Sequence, residues 1–508
     1  MSKSFSDYQQ KIFDWVKNGN GNALIQARAG SGKTFTALHA MEYMKGSVIS
    51  MTFNKKNAIE LQQKIAQMGF VHAKGCTFHS EGLNNWKRVH GFVKVEYKKV
   101  MNIVERYTMR ENEKSARYFI IQMIDLAKQS GFGCEGCPAI EDYNAWIDLA
   151  LHHDVDLDSD MDLTMAIDIA MHVLIDSNRD FRTIDFNDMI YLPVLNNIKL
   201  LQYDWIIIDE AQDTNVVRKL MSKRMMKPNG RFMAIGDEKQ AIYGFTGAEN
   251  DSMNIIKETF NCIELNLPVC YRCGTNIIEQ AKSIVPDIEA RPEANDGIVR
   301  SEEYDVFIKK AKEYGFNRND GIICRNNAPI VALAFSLIRE GIGCRIEGKD
   351  IGASLITLAN KWKTKDLNVF SDKMNKYFQK EMSNPKISQT KIGILEDKQD
   401  TMNILIQRCQ SFGTHTVAAL VQLIRDMFTD TSDGNVPNVV TLSSIHKAKG
   451  MEWTRCFALG NAQFIPSRYA VLPWQQQQET NLKYIAITRA MSEYVDICNV
   501  PKPERKQD

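Results

Sequence analysis

The sequence lacks any apolar run of about 18 to 20 residues, the length needed to cross a bilayer. Its first ten residues, MSKSFSDYQQ, lack the apolar segment of a secretory signal. It also lacks an excess of either charge, since 63 Lys and Arg against 62 Asp and Glu leave a net charge of +1. The net charge therefore gives the protein no overall positive field that would attract nucleic acid. A local groove lined with basic residues is still compatible with this charge. We expect a soluble cytoplasmic protein without a membrane partner.

Cysteine is present, but not in the pattern of a secreted scaffold. Eleven cysteines are scattered over 508 residues, and a disulfide framework is not expected in a long chain without a secretion signal. Two pairs have CxxC spacing, Cys134/Cys137 and Cys270/Cys273. Zinc held by the two pairs together stays open as an alternative to unpaired cysteines.

Apolar strand patterns alternate with helical patterns in two parts of the chain, which predicts an α/β fold with parallel sheets. The stretch after residue 84 and the stretch after residue 352 have mainly helical periodicity instead. We therefore predict two α/β cores, each with a mostly helical inserted domain. The predicted boundaries are 1–84 and 181–261 for the first core, 85–180 for its insertion, 262–351 and 433–508 for the second core, and 352–432 for its short insertion.

A glycine-rich loop follows the first predicted strand in the stretch LIQARAGSGKT, residues 24–34. It has the spacing of a phosphate-binding loop, with Ala27 in the place of the first glycine. Glycines at 30 and 32 let backbone N–H groups turn toward phosphate, Lys33 can reach the β- and γ-phosphates, and Thr34 can hold Mg²⁺. The candidate nucleotide-binding residues of the loop are Ala27, Arg28, Ala29, Gly30, Ser31, Gly32, Lys33 and Thr34.

Two carboxylates end a strongly apolar predicted strand in WIIIDEAQD, residues 205–213. Ligands bind at the carboxyl edge of parallel sheets, so Asp209 is expected to complete the magnesium site with Thr34. Glu210 is expected to orient or deprotonate the attacking water. Loop and carboxylates together predict hydrolysis of a nucleoside triphosphate.

The chain resembles the UvrD/Rep-like superfamily 1A DNA helicases through a series of motifs in the same order. Beside the glycine-rich loop and DEAQD, the resemblance rests on FSDYQQ (5–10), TFNKKNA (52–58), GCTFHS (75–80), GDEKQAIYGFTGA (236–248), LPVCYRC (267–273), CRNNA (324–328), SIHKAKGMEW (444–453) and YIAITRAMSE (484–493). The resemblance implies two RecA-like cores with ATP and Mg²⁺ bound between them.

The resemblance also implies roles for single residues around the nucleotide. Gln9 would contact adenine, Tyr271 would stack on it, and Glu452 would bind the ribose. Gln240 would sense the γ-phosphate, while Arg272 and Arg489 would reach it as arginine fingers.

A track for single-stranded DNA follows from the same motifs, because stacking needs planar side chains and phosphates need positive or polar groups. The implied DNA-binding residues are Phe53, Asn54, Thr77, Phe78, His79, Tyr243, Phe245, Arg325, Asn327 and His446. Core packing is the alternative for each aromatic side chain.

The predicted function is an ATP-dependent DNA helicase and translocase moving 3′ to 5′ in a bacterial or phage-infected cell. Its expected partners are single-stranded and forked duplex DNA, with replication or repair proteins. Three alternatives remain: a translocase that displaces proteins with little unwinding, an ATP-binding loader without turnover, and an RNA motor.

The chain departs from the family pattern in several places. Arg28 and Cys270 stand where glycine and asparagine are common, and Thr246 replaces an arginine. The second insertion is short, at about 80 residues. The sequence offers no reason for an arginine at position 28.

Overall fold

The computed structural model describes residues 5–157, 159, 161–242, 251–384, 387, 389–429 and 438–501. The predicted DNA-binding residues Tyr243 and Phe245, together with Thr246, lie outside the described residues. The chain forms two compact units that divide between Pro268 and Val269.

The first unit is built on a parallel sheet. Its strands are β1 (Asn22–Ala27), β2 (Val48–Thr52), β3 (Ala73–Thr77), β4 (Lys94–Val95), β5 (Thr183–Ile184), β6 (Tyr203–Asp209), β7 (Met226–Gly236) and β8 (Cys262–Leu267). Six of them form a sheet in the order β3-β2-β6-β7-β1-β8, while β4 and β5 pair separately. Each paired neighbour in the larger sheet is parallel. Apolar runs such as Ile206–Ile208 are fully buried, as expected when helices cover both faces.

Helices connect these strands. They are α1 (Asp7–Asn18), α2 (Lys33–Ala40), α3 (Lys55–Gln67), α4 (Phe78–His90), α5 (Lys99–Tyr107), α6 (Glu111–Lys114), α7 (Arg117–Gln129), α8 (Tyr143–His152), α9 (Leu163–Arg179), α10 (Asp188–Leu195), α11 (Val216–Met225) and α12 (Ser252–Thr259). Between residues 91 and 195 the described secondary structure is helical except for the short β4 and β5. That composition agrees with a helical insertion, whose domain boundaries stay a prediction.

The helices between β3 and β6 are held by buried charges and by one close backbone contact. Lys99 Nζ lies 2.7 Å from Asp188 Oδ2, and Lys128 pairs with Asp185 in the same buried network. Helices α4 and α10 cross so closely that a Cβ atom on Gly82 would lie 2.0 Å from the Met189 carbonyl oxygen. Only glycine fits this crossing without moving a helix.

The end of the first sheet differs from the sequence prediction. We expected the second core to begin at residue 262, but β8 pairs with β1 from Asn22↔Cys262 to Ala27↔Leu267. This segment is therefore the edge strand of the first sheet, and the second unit begins at Val269.

The second unit is built on another parallel sheet. Its strands are β9 (Val269–Cys270), β10 (Glu289–Ala290), β11 (Ile298–Glu303), β12 (Asp320–Cys324), β13 (Cys344–Glu347), β14 (Phe428–Thr429), β15 (Val440–Ser444), β16 (Trp453–Leu459) and β17 (Ala490–Cys498). Seven of them form a sheet in the order β11-β17-β16-β12-β15-β13-β14, and β9 pairs with β10. The neighbours in the seven-stranded sheet are all parallel.

The helices of the second unit are α13 (Thr275–Lys282), α14 (Tyr304–Lys309), α15 (Asn327–Arg339), α16 (Lys349–Ala359), α17 (Leu367–Met382), α18 (Gln389–Ser411), α19 (Val417–Met427), α20 (Ile445–Ala448), α21 (Asn461–Phe464) and α22 (Pro473–Ile487). Helices α16 to α19 occupy the range of the predicted second insertion. Their apolar faces share one buried cluster with β12, β13 and β15.

The predicted α/β class with two parallel-sheet cores is confirmed. In the described part of the chain, no helix is long and apolar enough to span a membrane.

Candidate nucleotide site and nucleic-acid surface

The loop from Arg28 to Gly32 joins the buried strand β1 to helix α2. Gly30 and Gly32 have φ values of 68° and 78°, in the left-handed region that favours glycine. Gly32 caps α2 without a side-chain hydrogen bond, so the first N–H groups of the helix face the loop's concavity. The Ser31 hydroxyl is buried and has no hydrogen-bond partner among the described residues. The Ser31 hydroxyl, together with the N–H groups that have no partner within the first turn of any helix, therefore suits a phosphate group.

The carboxylates of the DEAQD segment meet this loop. Lys33 Nζ lies 2.8 Å from Glu210 Oε2, and the Thr34 hydroxyl donates to Asp209 Oδ2 at 3.0 Å. The register explains the meeting, because β7 pairs with both β1 and β6 and all three strands end at one edge. The sequence prediction thus placed these four side chains in one site, although their catalytic roles stay predictions.

Burial and charge control protonation in this site. Burial lowers the pKa of Lys33, but the surrounding carboxylates of Glu210, Asp209 and Asp237 outweigh it, and the net pKa is raised. Burial raises the pKa of Asp209, and the neighbouring Glu210 raises it further. Lys33 is therefore a firmly charged cation beside acids that repel one another, an arrangement that favours an added cation.

Glu210 occupies an unusual backbone position. Its φ is 56°, in the left-handed region that non-glycine residues seldom adopt. The position turns the chain sharply after β6 and leaves Glu210 Oε2 in contact with Lys33 and with Gln212 Nε2, which donates at 2.6 Å.

The strand end after β7 adds a second polar segment to the site. Gln240 Nε2 donates to Asp237 Oδ2 at 2.6 Å, and the Asp237 N–H donates to Gln212 Oε1 at 3.0 Å. Arg28 Nη1 lies 3.4 Å from Asp237 Oδ1. Gln240 is thus held by Asp237 beside the loop, while its predicted sensing role stays a prediction.

Arg28 is bound to protein groups through its backbone and its side chain. Its backbone N–H donates to the Leu267 carbonyl oxygen at 2.9 Å, and its guanidinium is bound to Asp237. Direct nucleotide binding by Arg28 stays a prediction, and these contacts direct its backbone N–H and Nη1 to protein groups.

Gln9 lies against α2, the helix that follows the loop. Its side chain closes a capping box with Ser6 at the start of α1, and its Nε2 donates to Thr36 Oγ1 at 3.1 Å. The amide is thereby oriented on α2, close to where the loop ends. Its predicted contact with adenine stays a prediction.

The residues present fit ATP and Mg²⁺. The buried Ser31 hydroxyl, the two left-handed glycines and Lys33 suit a polyphosphate. The Thr34 hydroxyl and Asp209 carboxylate are 3.0 Å apart and are oxygen ligands of the kind Mg²⁺ prefers.

In the second unit, the predicted arginines are engaged with neighbouring groups. Arg272 Nε donates to Glu452 Oε2 at 2.5 Å, and its Nη1 donates to the Thr488 carbonyl oxygen at 3.1 Å. Arg489 is buried and donates to the Met451 and Ile485 carbonyl oxygens. Burial lowers the pKa of Arg489 to about 10.

The second CxxC pair, Cys270 and Cys273, encloses Tyr271 and Arg272. Tyr271 is partly exposed, with 38% of its surface accessible, and its predicted stacking on adenine stays a prediction. Cys270 and Cys273 are buried, and a hydrogen bond from Cys273 lowers the pKa of Cys270 to about 6. Across the described residues, His, Cys, Asp and Glu form no cluster of three or more suited to a metal ion, so the zinc alternative has no support there.

The predicted DNA-binding residues of the first unit divide into three groups. Phe53 packs against the Arg218 guanidinium, 4.7 Å from its ring centroid. Asn54 and Thr77 cap helices α3 and α4 with their side chains. Phe78 belongs to the buried core, so its predicted stacking on a base is not supported by its position.

His79 forms an aromatic pair that the sequence did not reveal. Its ring stacks on Phe186 with centroids 3.7 Å apart, and Phe186 is 48% exposed. Burial and the nearby Arg218 lower the pKa of His79 to about 3. The pair is therefore an uncharged and partly exposed aromatic surface, and DNA contact by His79 stays a prediction. Phe186 went unnoticed because it lies more than a hundred residues from the motif that contains His79.

In the second unit, the predicted DNA-binding residues have partners of their own. Arg325 donates to both oxygens of Glu479, with contacts of 2.7 to 3.2 Å. Asn327 binds Asp397 through its amide group and its backbone N–H. Burial and the neighbouring Arg325 lower the pKa of His446 to about 3. DNA contact by these residues stays a prediction.

Comparison with known proteins decides the family. Residues 8–261 match the UvrD/REP helicase N-terminal domain, and residues 358–497 match the UvrD-like helicase C-terminal domain. The chain belongs to the UvrD/Rep helicase family. The resemblance read from the motifs is confirmed.

Relatives of this UvrD/Rep-family chain are distant. It is 25% identical over 295 residues to the ATP-dependent DNA helicase Rep of Buchnera aphidicola, covering 52% of this chain and 42% of that protein. It is 23% identical to the Rep protein of Escherichia coli K12, covering 54% and 42%. The probable DNA helicase II homolog of Mycoplasma pneumoniae is 22% identical and covers 94% and 81%. The matches to the Rep relatives span less than half of their length.

Proposed function

We propose that this UvrD/Rep-family protein hydrolyses ATP with Mg²⁺ and uses that energy to move 3′ to 5′ along single-stranded DNA and to unwind duplex DNA. The observation that carries the proposal is the meeting of Lys33 and Thr34 with Glu210 and Asp209 at one edge of the first sheet. Relatives named ATP-dependent DNA helicase support the substrate class.

Each side chain of the site has a chemical part in the proposal. Bound ATP–Mg²⁺ would supply the phosphoanhydride and the metal charge that stabilises its cleavage. Lys33 neutralises phosphate charge, since its raised pKa keeps it protonated. Thr34 and Asp209 hold the metal, and Glu210 orients the attacking water. Arg272 and Arg489 retain the γ-phosphate roles that the resemblance assigns to them.

The nucleic-acid part of the proposal rests on the surface around His79. The His79–Phe186 pair presents a neutral, partly exposed aromatic face at the start of α4, and bases stack on such faces without sequence preference. Phe53 and Arg218 lie beside Phe78 in the same region of the unit. Forked duplex DNA and replication or repair proteins are the proposed partners.

ATPase activity measured with and without single-stranded DNA tests the motor. We expect hydrolysis to rise by at least about tenfold with DNA, because DNA binding and turnover are coupled in such a motor. Unwinding of substrates with a 3′ or a 5′ tail tests direction, and only the 3′-tailed substrate should be unwound. ATPase activity that ignores DNA would contradict the motor, and competition with RNA of the same sequence identifies the preferred polymer.

A second candidate function is a translocase that strips proteins from single strands and unwinds little duplex. Its support is the short helical segment α16 to α19, which runs only from Lys349 to Met427. Displacement of streptavidin from biotinylated single-stranded DNA, measured beside unwinding of a forked duplex, separates the two. Rapid displacement with no unwinding would select the translocase.

A further inference from the structure

Arg28 is a second cation of the site, beside Lys33. A phosphate-binding loop does not need an arginine at this position. Its side chain is 9% exposed, and Asp237, which it contacts at 3.4 Å, is completely buried. The two residues belong to different strand ends, since Arg28 follows β1 and Asp237 follows β7. An arginine this enclosed cannot be a solvated surface residue.

Asp237 connects Arg28 to the rest of the site. One carboxylate oxygen faces Arg28, and the other accepts from Gln240 Nε2 at 2.6 Å. Its backbone N–H donates to Gln212, whose Nε2 donates to Glu210. Glu210 in turn pairs with Lys33. A continuous path of polar contacts thus leaves the phosphate loop at Lys33 and returns to the same loop at Arg28.

The charges in this path are unequal. Asp209, Glu210 and Asp237 are three acids in one enclosed region, and Lys33 and Arg28 are the cations whose fields act on them. Burial raises the pKa of Asp237, while Lys33 and Arg28 oppose that rise. Removing Arg28 takes away one of the two cations whose fields act on the buried Asp237 carboxylate, and a buried charge that is less well compensated is unfavourable.

We propose that Arg28 is a positioning residue, which holds the Asp237 carboxylate in place so that Asp237 holds Gln240 at the phosphate loop. Arg28 acts on the reacting groups through Asp237. The assignment rests on the proposed ATPase function for its kinetic consequence, but the Arg28–Asp237 coupling itself does not depend on that function. It also accounts for an arginine at a loop position where glycine is common in the family.

The kinetic test compares Arg28→Ala and Arg28→Lys with the wild-type protein in DNA-stimulated ATPase assays. Alanine should lower kcat about tenfold while KM for ATP changes less than about threefold, because Gln240 is misplaced rather than ATP binding lost. Lysine should recover most of the rate, since it restores the cation. Arg179→Ala is the matched control, because Arg179 pairs with Asp176 at 3.3 Å on the exposed face of α9. A KM effect in place of a kcat effect would make Arg28 a ligand of ATP and overturn the assignment.

A double-mutant cycle tests the coupling without any need for activity. Thermal unfolding and binding of a fluorescent ATP analogue are measured for Arg28→Ala, Asp237→Asn and the double variant. The Tm loss from Arg28→Ala should shrink to less than about half once residue 237 is neutral, because coupled neighbours are not additive. Additive losses would mean that Arg28 only fills space, and the proposal would be wrong. If the two substitutions are coupled but the protein has no DNA-stimulated ATPase activity, the Arg28–Asp237 interaction is supported and the proposed function is rejected.

Discussion

At the residue scale, the phosphate loop gathers charge from positions that lie far apart in the sequence. Lys33 and Thr34 contact residues 209 and 210, more than 170 positions away. Those two carboxylates were predictable, because a run of isoleucines places the acids after it at the carboxyl edge of a buried strand. The partners of Arg28 and His79 were not, because Asp237 and Phe186 are selected by the arrangement of strands and helices in space.

Replacement of Lys33 by alanine tests the centre of the site. We expect Lys33→Ala to lower ATPase kcat by at least about a hundredfold, because the loop loses the cation aimed at the phosphates. Binding to single-stranded DNA should persist, since the His79–Phe186 surface is separate. Lys257→Ala is the control, because it also breaks a lysine–glutamate ion pair, but one at the surface. Lys257 Nζ lies 2.6 Å from Glu264 Oε2, compared with 2.8 Å between Lys33 Nζ and Glu210 Oε2. Normal ATP turnover by the Lys33→Ala protein would contradict the assignment of this site.

Acid should destabilise the first unit through His79. The folded-state pKa of His79 is lowered to about 3, whereas an unfolded histidine titrates near about 6.5. Protons therefore bind the unfolded chain first, and stability present above about pH 6.5 is lost as pH falls toward about 3. From about pH 7 to about pH 5 the loss from this one group is about 2 kcal/mol. Urea unfolding of the wild type and His79→Gln should show a smaller acid loss in the variant, and equal losses would contradict the enclosed neutral ring.

At the scale of helices and strands, the sequence patterns located the sheets well and their limits less well. Buried runs such as Ile206–Ile208 predicted strands because apolar segments bounded by turns have few alternatives. The segment Cys262–Leu267 was assigned to the wrong core, because most of its residues are exposed or only partly buried, and such a strand carries little local signal of the sheet that it joins. Local pattern shows that such a strand exists, but only its pairing with β1 shows which sheet it joins.

The crossing of α4 and α10 makes a prediction at this scale. Gly82→Ala should destabilise the first unit by about 2 to 3 kcal/mol, because the new methyl group meets the Met189 carbonyl oxygen and must separate the helices. The His79–Phe186 pair joins the same two regions, so affinity for single-stranded DNA should also fall. Asn84→Ala, at an exposed position of the same helix, should change neither thermal stability nor DNA affinity. A fully stable Gly82→Ala protein would show that the crossing is looser than described.

At the scale of the whole molecule, the two compact units divide the predicted chemistry between them. The first unit contains the phosphate loop, both carboxylates and the Asp237–Gln240 segment. The second contains Arg272, Arg489 and the ring of Tyr271. Each unit has its own sheet and its own buried core, so each has the structural basis for folding alone.

Expression of residues 1–268 tests this division. We expect the fragment to unfold cooperatively and to bind an ATP analogue, because its sheet, helices and loop are all internal to the unit. Turnover stimulated by DNA should fall at least about a hundredfold, because the predicted arginine fingers are missing. The full-length chain measured in parallel supplies the reference rate. Stimulated hydrolysis by the fragment alone would refute the roles assigned to Arg272 and Arg489.

The left-handed backbone at Glu210 has a consequence for how the site can be dissected. Glutamate at this φ of 56° stores roughly 1 to 2 kcal/mol of conformational strain, which no side-chain contact reveals. Glu210→Gln removes the charge and keeps the strain, whereas Glu210→Asn removes the charge and places a residue that tolerates this backbone. Both variants should lose ATPase activity, yet the asparagine protein should be more stable by about 0.5 to 1 kcal/mol. That difference in unfolding free energy would measure the stability given up for a carboxylate at the end of this strand.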